Sequence, residues 1–269
     1  MREPFVKSGE SFLEIASWVK DNKKLVAGFT TRENGVSEEP YASMNLGLHT
    51  NDKQTKILKN RELLSKELHI NLDNWIQGEQ VHATDIKFID QDDIGKGSKD
   101  YKTSIKDVDG LITDQSNVLL TAMYADCVPL YFYDPIHHYI GIAHAGWRGT
   151  VGQIAKKMTE YFISLGTDVK QLKVAIGPSI GREQYEVDDN VIKHIDHTLR
   201  ENTVTQLNNN HYLLDLKQLN KEILLQNDVL ASNIEITSYC TMTHQELFFS
   251  YRRDNGKTGR MLGFIGFRE

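Results

Sequence analysis

Val118-Leu119-Leu120-Thr121-Ala122-Met123-Tyr124-Ala125-Asp126-Cys127-Val128-Pro129-Leu130-Tyr131-Phe132-Tyr133 is the longest apolar stretch of the chain. It is too short for the ~20 apolar residues that a membrane-spanning helix needs. Asp126 interrupts it and Pro129 cannot sit inside a helix without breaking it. Its β-branched and aromatic content predicts two strands instead, 118–124 and 129–133, joined at Ala125-Asp126-Cys127.

Similar short runs, separated by Gly, Asp or Pro, flank this pair at 75–82, 85–89, 110–113 and 139–144, and they make the centre of the chain β-rich. An earlier strand is expected over 26–31. Helical spacing of apolar residues marks 53–68, through Ile57, Leu58, Leu63, Leu64 and Leu68, and 150–165, through Ile154, Met158, Tyr161 and Phe162. A buried strand over 172–176 precedes two further helical patterns, 190–200 and 216–227. The chain closes with strands near 234–239, 247–252 and 261–267. Strands and helices do not alternate strictly, so the expected class is α+β: one domain over 1–269, with mixed β-sheets in the centre and helices packed outside as a layered sandwich. The Lys- and Asp-rich stretch 90–106 is expected to be a mobile surface loop beside a pocket.

Composition narrows the partners. A chain of 269 residues with 39% hydrophobic and 25% charged residues is an ordinary globular protein. Its net charge of −6 and pI near 5.9 disfavour a surface that neutralises nucleic-acid phosphates, so a small molecule is the expected partner. Glu3, Glu10 and Glu14 spoil any secretory signal. The expected location is the cytoplasm, without membrane contact, where Cys127 and Cys240 stay reduced or bind metal.

Three residues could form an open metal site: His82 after Gln80-Val81, Cys127 after Asp126, and His144 before Ala145-Gly146-Trp147-Arg148-Gly149. Two imidazoles and a thiolate leave a fourth tetrahedral position free, the mark of catalytic rather than structural zinc. Separations of 45 and 17 residues require folding to bring them together. Singly, each is as readily a structural His or a buried thiol. Ala145-Gly146 leaves room for close approach, and Asp126 is expected to hydrogen-bond a metal-bound imidazole. A second constellation, Arg148, Arg252, Arg253 and Arg260, suits an oxyanion. The turn Gly177-Pro178-Ser179-Ile180-Gly181 lacks the lysine of a phosphate loop.

The runs Gln80-Val81-His82, Ala125-Asp126-Cys127-Val128-Pro129, His144-Ala145-Gly146-Trp147-Arg148-Gly149, Ile176-Gly177-Pro178 and Phe249-Ser250-Tyr251-Arg252-Arg253-Asp254 occur in an order that resembles the laccase-domain (polyphenol oxidoreductase) family. Gly35-Val36-Ser37, Met44-Asn45-Leu46-Gly47 and Asn60-Arg61 resemble its N-terminal signature, so the likeness covers nearly the whole chain. Many members of that family have been reassigned as purine nucleoside phosphorylases. The resemblance implies one zinc ion per chain on His82, Cys127 and His144, and phosphate as co-substrate. It implies phosphorolysis of adenosine, inosine, guanosine and methylthioadenosine to the free base and the (methylthio)ribose 1-phosphate, together with adenosine deamination. Arg148 and Arg253 are the candidates for phosphate, and Asn45 and Cys240 for the purine or ribose. Ala83 stands where glycine is common, and Asn255 is inserted before Gly256.

Three rival readings stand beside it. A cysteine hydrolase would use Cys127 as nucleophile and His144 or His82 as base. A binding module would hold the nucleoside without turnover. A copper phenol oxidase is disfavoured, because none of the ten histidines forms a His-x-His pair.

Overall fold

The computed structural model describes residues 2–269. Fifteen strands and seven α-helices follow one another as β1 (Phe5–Lys7), β2 (Phe12–Ile15), α1 (Ala16–Asp21), β3 (Leu25–Thr30), α2 (Gln54–Leu68), β4 (Trp75–Gln77), β5 (Ile86–Phe88), β6 (Gly110–Thr113), β7 (Leu119–Tyr124), β8 (Val128–Tyr133), β9 (Ile140–Ala145), α3 (Trp147–Val151), α4 (Ile154–Ser164), β10 (Lys173–Ile176), β11 (Glu186–Asp188), α5 (Asp189–Ile192), α6 (His197–Thr203), β12 (Val204–Asn208), β13 (His211–Leu214), α7 (Leu216–Gln226), β14 (Ile234–Ile236) and β15 (Met261–Phe267). Two mixed six-stranded sheets form the centre, in the orders β1-β2-β3-β15-β7-β4 and β14-β10-β8-β9-β6-β5; a three-stranded sheet, β11-β13-β12, stands beside them.

Strands β3, β7, β8, β9 and β15 are buried at every residue. The cause is that both faces of each large sheet are covered, so no polar alternation survives in their sequences. Residues of opposite parity go to different layers. Ala27, Phe29, Leu120 and Tyr124 of one sheet meet Tyr131, Tyr133, Ile140 and Ile142 of the other. Val26, Leu119, Met123 and Phe264 turn outward onto Leu64 and Leu68 of α2. Leu130, Phe132, Ala143 and Val174 turn outward onto Met158 and Phe162 of α4 and Leu219 and Ile223 of α7. The result is the α+β layered sandwich with helices outside.

Several local expectations need correction. The helix expected over 150–165 is two: Gly146 caps α3, and Gln153, at φ 67°, breaks the chain before α4. The helix over 190–200 is also split, into α5 and α6. The strand over 75–82 stops at Gln77: Glu79 N donates to the Ile105 carbonyl, and Asp109 takes the N–H groups of residues 81–83 as described below. The strand over 247–252 is irregular, because its N–H at Arg252 and hydroxyl at Ser250 turn inward to Asp126. The stretch 90–106 is folded rather than loose. It forms two short 3-10 turns, and its Gly97 and Ser98 carbonyls accept from the buried Arg61 guanidinium. Among the described residues no helix is long and apolar enough to cross a membrane.

Candidate active site

Three separate elements deliver His82, Cys127 and His144 to one point. His144 lies near the end of β9 and is only 3% exposed. Cys127 sits in the tight turn from β7 to β8, half-buried, directly after Asp126 at φ 92°. His82 lies between β4 and β5 with its own backbone at φ 60°, a left-handed conformation that a non-glycine residue holds only when neighbours enforce it. Gly146 makes the convergence sterically feasible. A Cβ on it would come within 3.1 Å of both Cys127 Sγ and His82 Cδ2.

One carboxylate enforces the geometry, that of Asp109, which is 3% exposed. Its Oδ2 accepts from Val81 N (3.2 Å) and Ala83 N (2.8 Å), and its Oδ1 accepts from His82 N (3.2 Å) and His144 Nδ1 (2.8 Å). The same group therefore holds the His82 loop and fixes the His144 ring with Nε2 free. Asp109, not Asp126, orients an imidazole. Asp126 accepts from Thr241 Oγ1 (2.7 Å), Ser250 Oγ (3.0 Å) and Arg252 N (2.8 Å). It fastens the Cys127 turn to the 241–252 segment.

The two imidazole rings lie 4.7 Å apart between centroids and nearly perpendicular, and Cys127 Sγ is 4.0 Å from His82 Nε2. Burial would raise the Cys127 thiol, but the His144 charge and the contacts with both imidazoles outweigh it and lower the thiol to about 6. Burial would lower His144, yet Cys127 and the Asp109 bond raise it to about 9. The pair is built to hold a thiolate beside a cation.

Ligand atoms of the three residues all lie within 4.8 Å of one another. Zinc bonds of ~2.3 Å to sulfur and ~2.0 Å to nitrogen give tetrahedral edges of about 3.3–3.6 Å, so closing the cluster on an ion takes a shift on the order of 1 Å or less per side chain. A soft thiolate, two imidazoles and a carboxylate behind one of them fit a divalent transition metal.

The cluster opens on a cavity of about 520 Å³. Met123, Ile180, Tyr185 and Tyr251 give it apolar and aromatic walls, and Gln77, Tyr101, Arg252 and Arg260 give it polar ones. Arg260 Nη1 donates to the Thr258 and Gly259 carbonyls and its guanidinium lies 5.6 Å from the Tyr251 ring. Arg252 lies 5.2 Å from the Tyr185 ring and donates to the Glu186 carbonyl. Neither has a carboxylate partner among the described residues. A smaller adjoining cavity of about 150 Å³ shares His82 and Cys127 and is bordered by Arg148, which stacks on Trp147 at 4.4 Å.

Three expected substrate contacts are placed elsewhere. Asn45 is fully buried: its amide donates to Thr50 and Asp52 and its carbonyl accepts from Gly47 N and Arg260 N. It positions Arg260. The Cys240 thiol accepts from Gly181 N at 3.1 Å and is buried. Arg253 pairs with Asp254 and donates to the Thr241, Met242 and Phe248 carbonyls. Of the arginines singled out in the sequence, the cavity takes Arg252 and Arg260. Asp109, Gln77 and Tyr185 carried no motif signal of their own.

A family model described as "Multi-copper polyphenol oxidoreductase laccase" matches residues 26–268. The chain is 40% identical over 272 residues to the "Purine nucleoside phosphorylase YlmD" of Bacillus subtilis, covering 99% of this chain and 98% of that protein. It is 44% identical over 248 residues to the protein of the same name from Geobacillus stearothermophilus, covering 91% and 90%. The crystal structure of the Bacillus licheniformis hypothetical protein YfiH superposes with a TM-score of 0.96 at 38% identity, over 99% of this chain and 100% of that one.

Proposed function

Because the chain belongs to the multi-copper polyphenol oxidoreductase laccase family and its relatives carry the name purine nucleoside phosphorylase, we propose that it cleaves purine nucleosides with phosphate. The observation that carries this reading is a nucleoside-sized cavity that joins a His-Cys-His cluster to two arginines without acid partners. A metal site alone would suit many reactions. Unpaired guanidinium groups beside aromatic walls suit a phosphate next to a flat base.

The substrates are adenosine, inosine, guanosine and methylthioadenosine, and the products are the free base and the corresponding ribose 1-phosphate. A phosphate oxygen bonds to C1′ as the C1′–N9 bond breaks, and its electron pair leaves with the purine, which takes up a proton. Arg252 and Arg260 hold the phosphate, with Arg148 at the flank. Tyr185, Tyr251, Met123 and Ile180 cover the base and exclude water. His82, Cys127 and His144 would hold one divalent ion, zinc by the His2Cys donor set, which when bound would supply Lewis-acid chemistry beside the cavity. The second activity is hydrolytic deamination of adenosine, in which water adds at C6 and the C6–N bond breaks to give inosine and ammonia. Residues 1–269 act as one domain, a reading supported by a cavity that draws on residues from His49 to Arg260, and the expected location is the cytoplasm.

Adenosine and inosine incubated with the protein, with and without phosphate, test this directly by chromatography of base and ammonia. Base release that needs phosphate, and that is lost in a folded His82→Ala variant, is expected. Release indifferent to phosphate would overturn the phosphorolysis.

One observation favours a second reading. Cys127, His144 and Asp109 form a thiol, imidazole and carboxylate series of the kind that activates a nucleophilic cysteine. Activity that survives chelation but disappears on stoichiometric alkylation of Cys127 would select it; chelation loss restored by zinc selects the metal.

A further inference from the structure

The loop 45–50 lies between two guanidinium groups and presents His49 to the cavity. On one side, Arg61 Nε and Nη2 donate to the Leu46 carbonyl at 3.0 and 2.8 Å. On the other, Leu46 N donates to Arg260 O (3.2 Å), and Asn45 Oδ1 accepts from Arg260 N (2.9 Å) and Gly47 N (3.2 Å). The Arg260 side chain passes so close that a Cβ on Gly47 would come within 2.8 Å of Arg260 Cγ. The His49 ring is open to the cavity on one side and packs against Tyr101 on the other, with centroids 5.5 Å apart. Neither ring nitrogen has a hydrogen-bond partner among the described residues.

The charges that act on this ring are positive. Burial lowers its pKa most, and Arg260, Arg61 and His144 lower it further, to about 4. The carboxylate of its own loop, Asp52, is turned to Asn45 Nδ2 (3.1 Å) and Lys53 N (2.7 Å). Tyr101 is held protonated by burial and by Glu79 and Asp109, so it adds no negative charge. An imidazole in this setting is neutral at pH 7. A dianion beside Arg260 acts on it with the opposite sign and twice the charge of either guanidinium.

We propose that His49 is a further anion-binding residue of the cavity, an imidazole that takes up a proton together with a dianionic oxyanion and so joins Arg260 as its cationic ligand. This rests on the reading that Arg260 binds phosphate. When inorganic phosphate binds as the monoanion, its proton passes from a phosphate oxygen to a ring nitrogen of His49, and the ligand is held as the hydrogen phosphate dianion. Sulfate carries no proton at neutral pH, so with sulfate the proton comes from the buffer.

Inorganic sulfate is therefore the probe, titrated into the protein by isothermal calorimetry at about pH 6.5 in two buffers of different ionisation enthalpy. The wild type should take up about half a proton or more per sulfate bound. By linkage, its sulfate affinity should rise by about 3-fold or more for each unit that the pH falls between about 7.5 and 6. His49→Gln keeps a hydrogen-bonding amide that cannot be protonated, and it should bind sulfate more weakly with an uptake near zero. The same uptake in a folded His49→Gln gives the proton to another group and overturns the role of His49. So does sulfate bound by the wild type without proton uptake, a result that needs no variant and leaves the phosphorylase reading standing. Should His49→Gln not fold, the ring-nitrogen resonances of histidine-labelled wild type read the same event: one imidazole passes from neutral to cationic as sulfate is added, and no such change overturns the proposal. A wild type that binds neither sulfate nor phosphate overturns both the proposal and the phosphate reading of the arginines.

Discussion

Strand β8 is bracketed by two buried aspartates, and its two ends behave differently. Past its C-terminal end, Asp134 accepts from Ile136 N (2.8 Å), His137 N (3.1 Å), His137 Nδ1 (2.8 Å) and Thr167 Oγ1 (2.6 Å). Three of these four donors lie within three residues, so the carboxylate closes its own turn. Before its N-terminal end, Asp126 accepts from Thr241, Ser250 and Arg252, separated from it by 115, 124 and 126 residues. The chemistry is the same at both ends, a buried carboxylate satisfied by several donors. One end makes a local turn. The other joins the Cys127 turn to the segment that carries Arg252, so the same bonds set the distance between the His-Cys-His cluster and Arg252.

Asp109 belongs with the remote kind and carries more, since it holds the His82 loop and the His144 ring at once. The largest effect is therefore expected there. Loss of a single hydrogen bond behind a metal ligand typically lowers affinity or activity by ~10–100-fold. Asp109→Asn disturbs two ligands and should reach about 100-fold in zinc affinity, measured by competition with a chelating dye, with thermal melting as the check on folding. Zinc affinity within twofold of wild type would show that the cluster holds itself.

Asp126→Asn should act next most strongly and in a different parameter. Its amide leaves one acceptor oxygen for three donors that the carboxylate now satisfies, so the 241–252 segment should shift and the KM for phosphate should rise by about 10-fold, more than zinc affinity falls. Equal losses in both would mean that the two ends of the site are not separately held.

The contrast also explains what the sequence made legible. The layered α+β class could be read, because 118–133, broken at Asp126, and 261–267 are apolar runs and α2 and α7 have clear helical spacing. Strands β1 and β2, and the three-stranded sheet β11-β13-β12, were not foreseen: at three to five residues each they are too short for a two-residue period to stand out. In the site, His82, Cys127 and His144 stood out by residue type and glycine context. Asp109 did not, because a lone acid between Val108 and Gly110 looks like punctuation before a strand. Asp126 was noticed but given the wrong partner, since a bond spanning more than a hundred residues leaves no local trace. Choosing Arg252 over its neighbour Arg253 needed the backbone direction at Ser250 and Arg252, which only the folded turn supplies.

The smallest effect on catalysis is expected at the local end of β8. Accepted hydrogen bonds from Thr167 and from the His137 side chain and backbone outweigh burial and hold the Asp134 carboxyl below its usual range. A depressed folded pKa contributes stability that is fully present above the unfolded value of ~3.9 and is lost as pH falls through the folded one. Asp134→Asn should thus cost about 1–2 kcal/mol at pH 7, with the gap to wild type narrowing below about pH 4. Denaturant unfolding at several pH values reads this. Phosphorolysis by the folded variant should match wild type, because none of the Asp134 partners reaches the cavity. A KM change at Asp134→Asn comparable with that at Asp126→Asn would erase the distinction between the two ends and make β8 a single lever on the site.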